Sequence, residues 1–141
     1  MKKLILVAVI ILVTGVTFGQ TTIKKGMVVA LSSYELVLKE NVTLQQFISF
    51  TEQKYIPAYE KAFPGIKFIM LWGDRGENKF RYGEMWVFDD VATRNKYFPT
   101  ENDTVNSAAL TAAMTKLKAI NDESAKYVLN AKRVYTDWLV K

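Results

Sequence analysis

The sequence predicts an α+β fold in which four strands form one antiparallel sheet and helices pack against it. Four segments are rich in Val, Leu and aromatic residues, and three of them alternate between two faces as strands do. A capped segment with helical spacing separates the first strand from the second, and an Ala-, Leu- and Lys-rich segment precedes the last. No repeat or linker interrupts residues 20–141. We therefore expect a single domain over 20–141.

The first strand is predicted over Met27–Lys39, which is followed by a helix with a clear start signal. Thr43 can cap this helix, and Gln46 stands three residues later, as in a capping box. Pro57 removes a backbone donor and is expected to kink or divide the helix near Tyr55. The dipeptide at 64–65 (Pro-Gly) ends it.

The second and third strands are predicted over Ile66–Trp72 and Phe80–Phe88, joined by a polar hairpin at 73–79. In the third strand, alternation places five residues on one face: Phe80, Tyr82, Glu84, Trp86 and Phe88. A carboxylate is thus expected among aromatic rings in the middle of the sheet.

The remaining elements complete the order of the fold. Asp90 is expected to cap a short helix over Val91–Tyr97. Helix-forming residues predict a longer helix over Ser107–Ile120, with a helical tail through Asp122–Ala131. Alternation then predicts a last strand over Arg133–Val140.

The resulting order, β-α-β-β-α-β, is that of ferredoxin-like folds, whose sheet carries helices on one face only. Both faces of the second and third strands carry apolar or aromatic residues, so the face without helices needs cover as well. A second copy of the sheet would provide it. The sequence therefore predicts a homodimer.

The N-terminus has the pattern of a bacterial export signal. Lys2 and Lys3 precede an apolar run at 4–18, and small residues at positions 17 and 19 predict cleavage after Gly19. The alternative is a retained membrane anchor, but about 15 apolar residues are fewer than the roughly 20 that span a bilayer. We expect a cleaved signal peptide at 1–19 and a periplasmic or extracellular protein with no membrane contact after cleavage.

Composition excludes several functional classes. Removing Lys2 and Lys3 lowers the formal net charge of +5 by two, and the basic residues do not cluster, so no nucleic-acid partner is expected. The chain has no cysteine and no histidine, which excludes disulfides, imidazole metal sites and Ser-His or Cys-His catalytic pairs. We expect no metal site and no cofactor, and any acid–base chemistry would fall to carboxylates, lysines or tyrosines.

Several short segments between Val29 and Val140 carry a family resemblance. They are Tyr34–Leu38, Tyr55–Tyr59, Phe63–Ile66, Trp86–Asp90, Arg94–Pro99 and Tyr135–Trp138. In these segments the chain resembles the dimeric α/β-barrel proteins, which include antibiotic-biosynthesis monooxygenases and NIPSNAP- or EthD-like domains. The resemblance implies a ferredoxin-like fold that pairs as a dimeric α/β barrel. The group's activities include cofactor-free oxygenation, isomerisation and haem degradation, and the histidine ligand of the haem-degrading type has no counterpart here.

The candidate ligand-binding residues combine aromatic surface with one carboxylate, in the place between sheet and helices where such folds have their cavity: Tyr34, Trp72, Tyr82, Glu84 and Trp86. Glu84 is also the candidate catalytic residue. It is expected to pair with Arg81 or Arg133, to reach water, or to have a raised pKa. Asp137 is a second candidate for an inward-facing carboxylate. The alternative is that these aromatic residues are ordinary core.

Three functional hypotheses follow. The first is an exported domain that binds a small, partly apolar molecule. The second is a cofactor-independent monooxygenase or a related small-molecule enzyme. The third is a structural or interaction protein of the cell envelope.

Overall fold

The computed structural model describes residues 22–100 and 106–141. Four strands form one antiparallel sheet in the order β2-β3-β1-β4. The strands are β1 (Val28–Leu38), β2 (Ile66–Trp72), β3 (Tyr82–Phe88) and β4 (Val128–Leu139). The predicted signal peptide at 1–19 and the predicted first mature residue, Gln20, lie outside the described residues.

The predicted first helix is divided as expected near Pro57. It consists of α1 (Leu44–Phe50), a π-helical turn (Thr51–Tyr55) and α2 (Ile56–Ala62), with Pro57 in the first turn of α2. The predicted capping box is confirmed. The Thr43 backbone N–H donates to Gln46 Oε1 at 2.8 Å, and the Gln46 backbone N–H donates to Thr43 Oγ1 at 3.2 Å.

Two further helices follow the hairpin, α3 (Val91–Tyr97) and α4 (Ala108–Ser124). The Asp90 side chain caps α3 by accepting from the Thr93 backbone N–H at 2.6 Å. The expected helical tail to Ala131 is wrong, since α4 ends at Ser124 and the chain becomes a strand at Val128. The cause is tertiary: β1 is long, and its last residues pair with this part of β4.

The third strand begins at Tyr82 rather than at Phe80, where the sequence pattern places its start. Phe80 has a positive φ of 63°, which an extended strand does not accommodate. Its backbone N–H donates to the Gly73 carbonyl at 2.8 Å and so closes the hairpin loop. The exposed Phe80 ring therefore belongs to the loop.

The order of strands and helices is that of a ferredoxin-like α+β fold, as the sequence predicts. The core lies between one face of the sheet, which we call the inner face, and the helices. Its buried members are Val28, Ala30, Tyr59, Ala62, Phe63, Ile66, Phe68, Phe88, Tyr97, Ala113 and Leu117. Aromatic rings are prominent in and around this core. The rings of Phe63 and Phe68 each contact the rings of Tyr59 and Trp86.

The opposite, outer face of the sheet carries large apolar side chains in contact with solvent. Trp138 is 58% exposed, and Leu31, Leu71 and Val134 are exposed as well. Within 22–100 and 106–141, none of the helices has both the length and the hydropathy needed to cross a membrane.

Candidate functional site

A cavity of about 670 Å³ lies between the inner face of the sheet and the helices. Strands β1, β3 and β4 form its floor, and residues of the π turn, α2, α3 and α4 form its walls. Tyr34, Glu84 and Trp86 are among the floor residues. Its size falls within the range of about 300–1,000 Å³ that is typical of small-molecule sites.

Strand register brings the polar floor residues together. Glu84 of β3 pairs with Ser32 of β1, while Tyr34 pairs with Tyr82 on one side and with Arg133 on the other. Because directly paired residues share a face, all five side chains belong to the inner face. The local alternation of each strand is thus enough to assemble this group once the register is set.

Glu84 is buried, with 7% of its surface exposed, and it accepts three hydrogen bonds. The Tyr34 hydroxyl donates to Oε2 at 2.8 Å, and the Tyr82 hydroxyl donates to Oε1 at 3.0 Å. The Trp86 indole N–H donates to Oε2 at 3.3 Å. A carboxylate offers about four acceptor positions, so one remains for a group that enters the cavity.

Burial raises the pKa of Glu84 above its ordinary value. Hydrogen bonds from Tyr34, Tyr82 and Trp86 act in the opposite direction, as does the positive charge of Arg133, but desolvation is the larger effect. Burial likewise raises the pKa of Tyr34 and of Tyr82, and the nearby Glu84 charge adds to both shifts. The hydroxyls of both tyrosines therefore keep their protons at neutral pH and donate hydrogen bonds to Glu84.

The π turn contributes a wall of the cavity. Tyr55, its last residue, stacks on Tyr59 with ring centroids 4.2 Å apart, and both line the cavity. The Tyr59 hydroxyl donates to Asn121 Oδ1 at 2.9 Å, which ties this wall to α4. Within the helix, the buried Thr51 hydroxyl bonds to the Phe47 carbonyl at 2.9 Å. Such π turns often accompany functional sites.

Arg133 provides a cation at the open side of the cavity. Its Nε–H donates to Ser32 Oγ at 3.1 Å, and its guanidinium carbon lies 4.4 Å from the centroid of the Tyr135 ring. Of the two cations considered for Glu84, Arg133 is the one that lowers its pKa. Arg81 instead pairs with Glu35 at 3.0 Å.

Asp137 also lines the cavity, where it forms an ion pair with Arg94 of α3. Arg94 Nη1 and Asp137 Oδ2 are 2.6 Å apart. The second predicted carboxylate therefore faces inward, but it is already paired.

The predicted binding residues separate into three positions. Tyr34, Glu84 and Trp86 line the cavity, whereas Tyr82 is buried and holds Glu84 from within the core. Trp72 lies at the end of the edge strand β2, 44% exposed, and does not line the cavity.

Sequence patterns give no site role to Tyr55, Tyr59 or Arg94, all of which line the cavity. The two tyrosines fall on the apolar face of the first helix, and only their hydroxyls distinguish them from core rings. Arg94 lies on a short polar helix, and no local pattern indicates that it meets Asp137. In the described part of the chain, no three carboxylates are grouped as a metal site would require.

The described fold is similar to that of two NIPSNAP family proteins from Agrobacterium tumefaciens strain C58. One has a TM-score of 0.51 and 10% identity, covering 81% of this chain and 89% of its own. The other has a TM-score of 0.50 and 10% identity, covering 78% and 90%. SnoaB, a cofactor-independent oxygenase from Streptomyces nogalater, is similar with a TM-score of 0.40 and 14% identity, covering 82% and 94%.

At these identities, structural similarity establishes the fold and leaves the activity open. The fold is that of the ferredoxin-like group that the sequence resembles. No protein-family model and no curated protein sequence matches the chain.

Proposed function

We propose that the protein binds a small, flat, partly apolar molecule in the cavity and holds it by a hydrogen bond to Glu84. The observation that carries this proposal is the buried carboxylate on the cavity floor. This carboxylate accepts hydrogen bonds from three side chains and has one acceptor position left. A hydroxyl or N–H of a ligand can fill that position.

The rest of the cavity supports a flat ligand. Trp86, Tyr55, Tyr59 and Phe98 contribute aromatic surface, and aromatic pairs gain from offset or edge-to-face stacking. Leu110 and Met114 of α4 add aliphatic surface. Apolar and polar groups thus share the lining, and in small-molecule sites apolar walls commonly surround the polar groups that orient the ligand.

The test is a screen of aromatic and quinone-like compounds by tryptophan emission, with wild type and Glu84→Gln side by side. This substitution keeps the side-chain size but removes the charge and one acceptor oxygen. We expect binding to weaken by about 1.5–3 kcal/mol, the scale of hydrogen bonds to charged groups. Glu77→Gln, in the exposed hairpin loop, is the matched control and should bind as wild type does. Equal affinity of wild type and Glu84→Gln for every ligand found would contradict the proposal.

The raised pKa of Glu84 favours a second candidate, cofactor-independent oxygenation. A carboxylate with a raised pKa is a stronger base, so Glu84 could take the proton of an aromatic hydroxyl. One electron then passes from the resulting anion to dioxygen, and the two radicals combine through a new C–O bond at a ring carbon. The peroxide takes up the proton held by Glu84, its O–O bond breaks, and water leaves together with the hydrogen of that carbon, so that one oxygen atom stays on the ring as a quinone carbonyl. Oxygen uptake recorded in the same screen separates the candidates. Uptake that depends on Glu84 indicates an oxygenase, while binding without uptake indicates a binding protein.

We also propose that the outer face of the sheet pairs with a second copy of the chain. Trp138, Leu31, Leu71 and Val134 form an apolar surface there, and solvent exposure of such a surface is unfavourable. An isologous contact would bury it twice. We expect a dimer by light scattering at micromolar concentration. Trp138→Glu should shift the protein toward monomer, and Trp72→Glu, at a half-exposed tryptophan on the inner face, is the control. A folded wild-type monomer would contradict pairing.

Export is the third part of the proposal, and it rests on the sequence of residues 1–20. We expect the protein from its native host to begin at Gln20. Intact-mass analysis tests this, and a mature chain that retains residues 1–19 would contradict it.

A further inference from the structure

We propose that the ligand of this cavity is a hydroxylated aromatic acid, whose acidic group is held by Arg133 while its hydroxyl is held by Glu84. This inference rests on the proposed binding function and adds the chemical class of the ligand. Two features of the cavity carry it: Arg133 has unused donors and no ion-pair partner, and it faces the same cavity as Glu84 without joining it.

The ion pairs among the residues that line the cavity leave one cation, Arg133, without a partner. Four residues that line the cavity can carry a full charge at neutral pH: Glu84, Arg94, Arg133 and Asp137. Arg94 and Asp137 neutralise each other at 2.6 Å. Arg133 has no ion-pair partner among residues 22–100 and 106–141, since none of the ion pairs there includes it. The acidic group of a ligand can therefore pair with Arg133.

The guanidinium of Arg133 contacts two neighbouring side chains, but most of its N–H donors have no acceptor among residues 22–100 and 106–141. Its guanidinium carbon lies over the Tyr135 ring, and the hydrogen bond from Nε to Ser32 Oγ restrains its position. A guanidinium has five N–H donors, and only the Nε–H has an acceptor among residues 22–100 and 106–141. The N–H groups on the two Nη atoms can donate to the two oxygens of one carboxylate. A planar guanidinium recognises this pair of oxygens better than an ammonium group does, because the ammonium acts as a point charge.

Arg133 and Glu84 face the same cavity without joining each other. They form no ion pair in the described part of the chain, although the charge of Arg133 lowers the pKa of Glu84. Their strands are separated by β1, since Arg133 pairs with Tyr34, and Glu84 pairs with Ser32. A rigid ring system with an acidic group at one end and a hydroxyl at the other can reach both groups.

The experiment compares three probes that share one ring system: 6-hydroxy-2-naphthoate, its neutral carboxamide, and 2-naphthoate, which lacks the hydroxyl. Calorimetry gives the dissociation constant of each for wild type, Arg133→Gln and Arg133→Lys. Arg75→Gln is the matched control, because Arg75 is an exposed arginine of the hairpin loop. The ratio of affinities for acid and amide isolates the contribution of the anionic group.

We expect wild type to prefer the acid over the amide by about fivefold, the scale of a partly exposed ion pair. The preference should shrink with added salt. Arg133→Gln should remove it while leaving affinity for the amide unchanged. Arg133→Lys should keep part of this preference, because the charge remains but the paired N–H donors of the guanidinium are lost. Arg75→Gln should behave as wild type does.

Two results would overturn the inference and leave the cavity a binding site: equal affinity of wild type for acid and amide, or equal weakening of both by Arg133→Gln. The second result would mean that Arg133 only shapes the cavity. If 2-naphthoate binds as tightly as the hydroxylated acid, the Glu84 contact and with it the hydroxyl requirement are wrong. If none of the three probes binds, the inference is wrong, and the screen of aromatic and quinone-like compounds decides the proposed function separately.

Discussion

The inner face of the sheet has two halves that differ in how the helices cover them. Over β2 and β3 the face is packed: α2 lies on β2, α3 contacts β3, and aromatic rings fill the space between. Over β4 the same face stays open, because β4 makes its main contacts with β1 alone. Tyr135, Asp137 and Leu139 line the cavity there. We call these the packed half and the open half.

The difference shows how one alternating pattern serves two purposes. In both halves, every second residue of a strand points to the inner face. Where helices cover that face, burial of apolar surface stabilises the fold, by about 25 cal/mol per Å². Where they leave it open, the same face offers a ligand aromatic and polar groups. Glu84 and Trp86 lie at the boundary between the two halves, in contact with both core rings and cavity.

The largest expected effect comes from comparing a substitution in the core that covers the packed half with a substitution in the open half. Leu117 is 1% exposed within the packed core, whereas Leu139 of the open half is 45% exposed. Leu117→Ala should lower the free energy of unfolding by about 3 kcal/mol, since it leaves a cavity as well as losing burial. Leu139→Ala should lower it by less than about 1 kcal/mol. Urea denaturation measures both, and comparable losses would remove the distinction between the halves.

A smaller effect is expected at the boundary. Glu84→Leu deprives three donors, on Tyr34, Tyr82 and Trp86, of their acceptor. We expect the free energy of unfolding to fall by about 2 kcal/mol, because buried donors without partners are costly. Glu84→Gln should cost less than about 1 kcal/mol, because the amide oxygen can accept from Tyr34 and Trp86 while the amide NH₂ donates to the Tyr82 hydroxyl.

If Glu84→Leu proves as stable as Glu84→Gln, then the three donors reach water in the cavity. The boundary would in that case belong to the open half.

The smallest effect is a pH dependence. Burial raises the pKa of Glu84 above its ordinary value of 4.5, so the folded protein holds this proton to higher pH than the unfolded chain does. The stability linked to it is fully present below pH 4.5. It is lost as pH rises through the raised pKa of the folded state. Relative to Glu84→Gln, wild type should therefore lose stability as pH increases from 4.5.

Denaturation curves of wild type and Glu84→Gln, measured across that range of pH, test this prediction. All other titrating groups are common to both proteins and cancel in the difference. The prediction is contradicted if the difference in free energy of unfolding between the two proteins does not change with pH, or if rising pH favours wild type. Ionisation of Glu84 would then not destabilise the folded protein.

Local patterns predict most of this fold, because alternation, capping and Pro57 act within a few residues. They place Glu84 among Tyr82 and Trp86 on one face, and the contacts of all three follow from strand alternation and register. What local patterns miss is tertiary. The start of β4 at Val128 depends on pairing with the end of β1, and Phe80 leaves its strand because the loop needs a positive φ there.

The same limit applies to the site. Trp72 has the same alternation as Trp86, yet it lies at the end of an edge strand, beyond the cavity. Arg94 of α3 meets Asp137 of β4 through a long side chain that reaches across the cavity, a contact between residues 43 apart in the chain. Alternation predicts which way a side chain points, but it does not predict which helix covers it.

The central claim is that a ligand enters the open half and reaches the Glu84 carboxylate. The three tryptophans report on it directly, because Trp86 lines the cavity, Trp72 lies outside it, and Trp138 lies on the outer face. Indole N–H resonances, assigned by replacing each tryptophan with phenylalanine, can be followed during titration with 6-hydroxy-2-naphthoate. We expect the Trp86 resonance, whose N–H donates to Glu84, to shift in a saturable way while the other two stay in place. A saturable shift of Trp72 or Trp138 with Trp86 unchanged would contradict the claim.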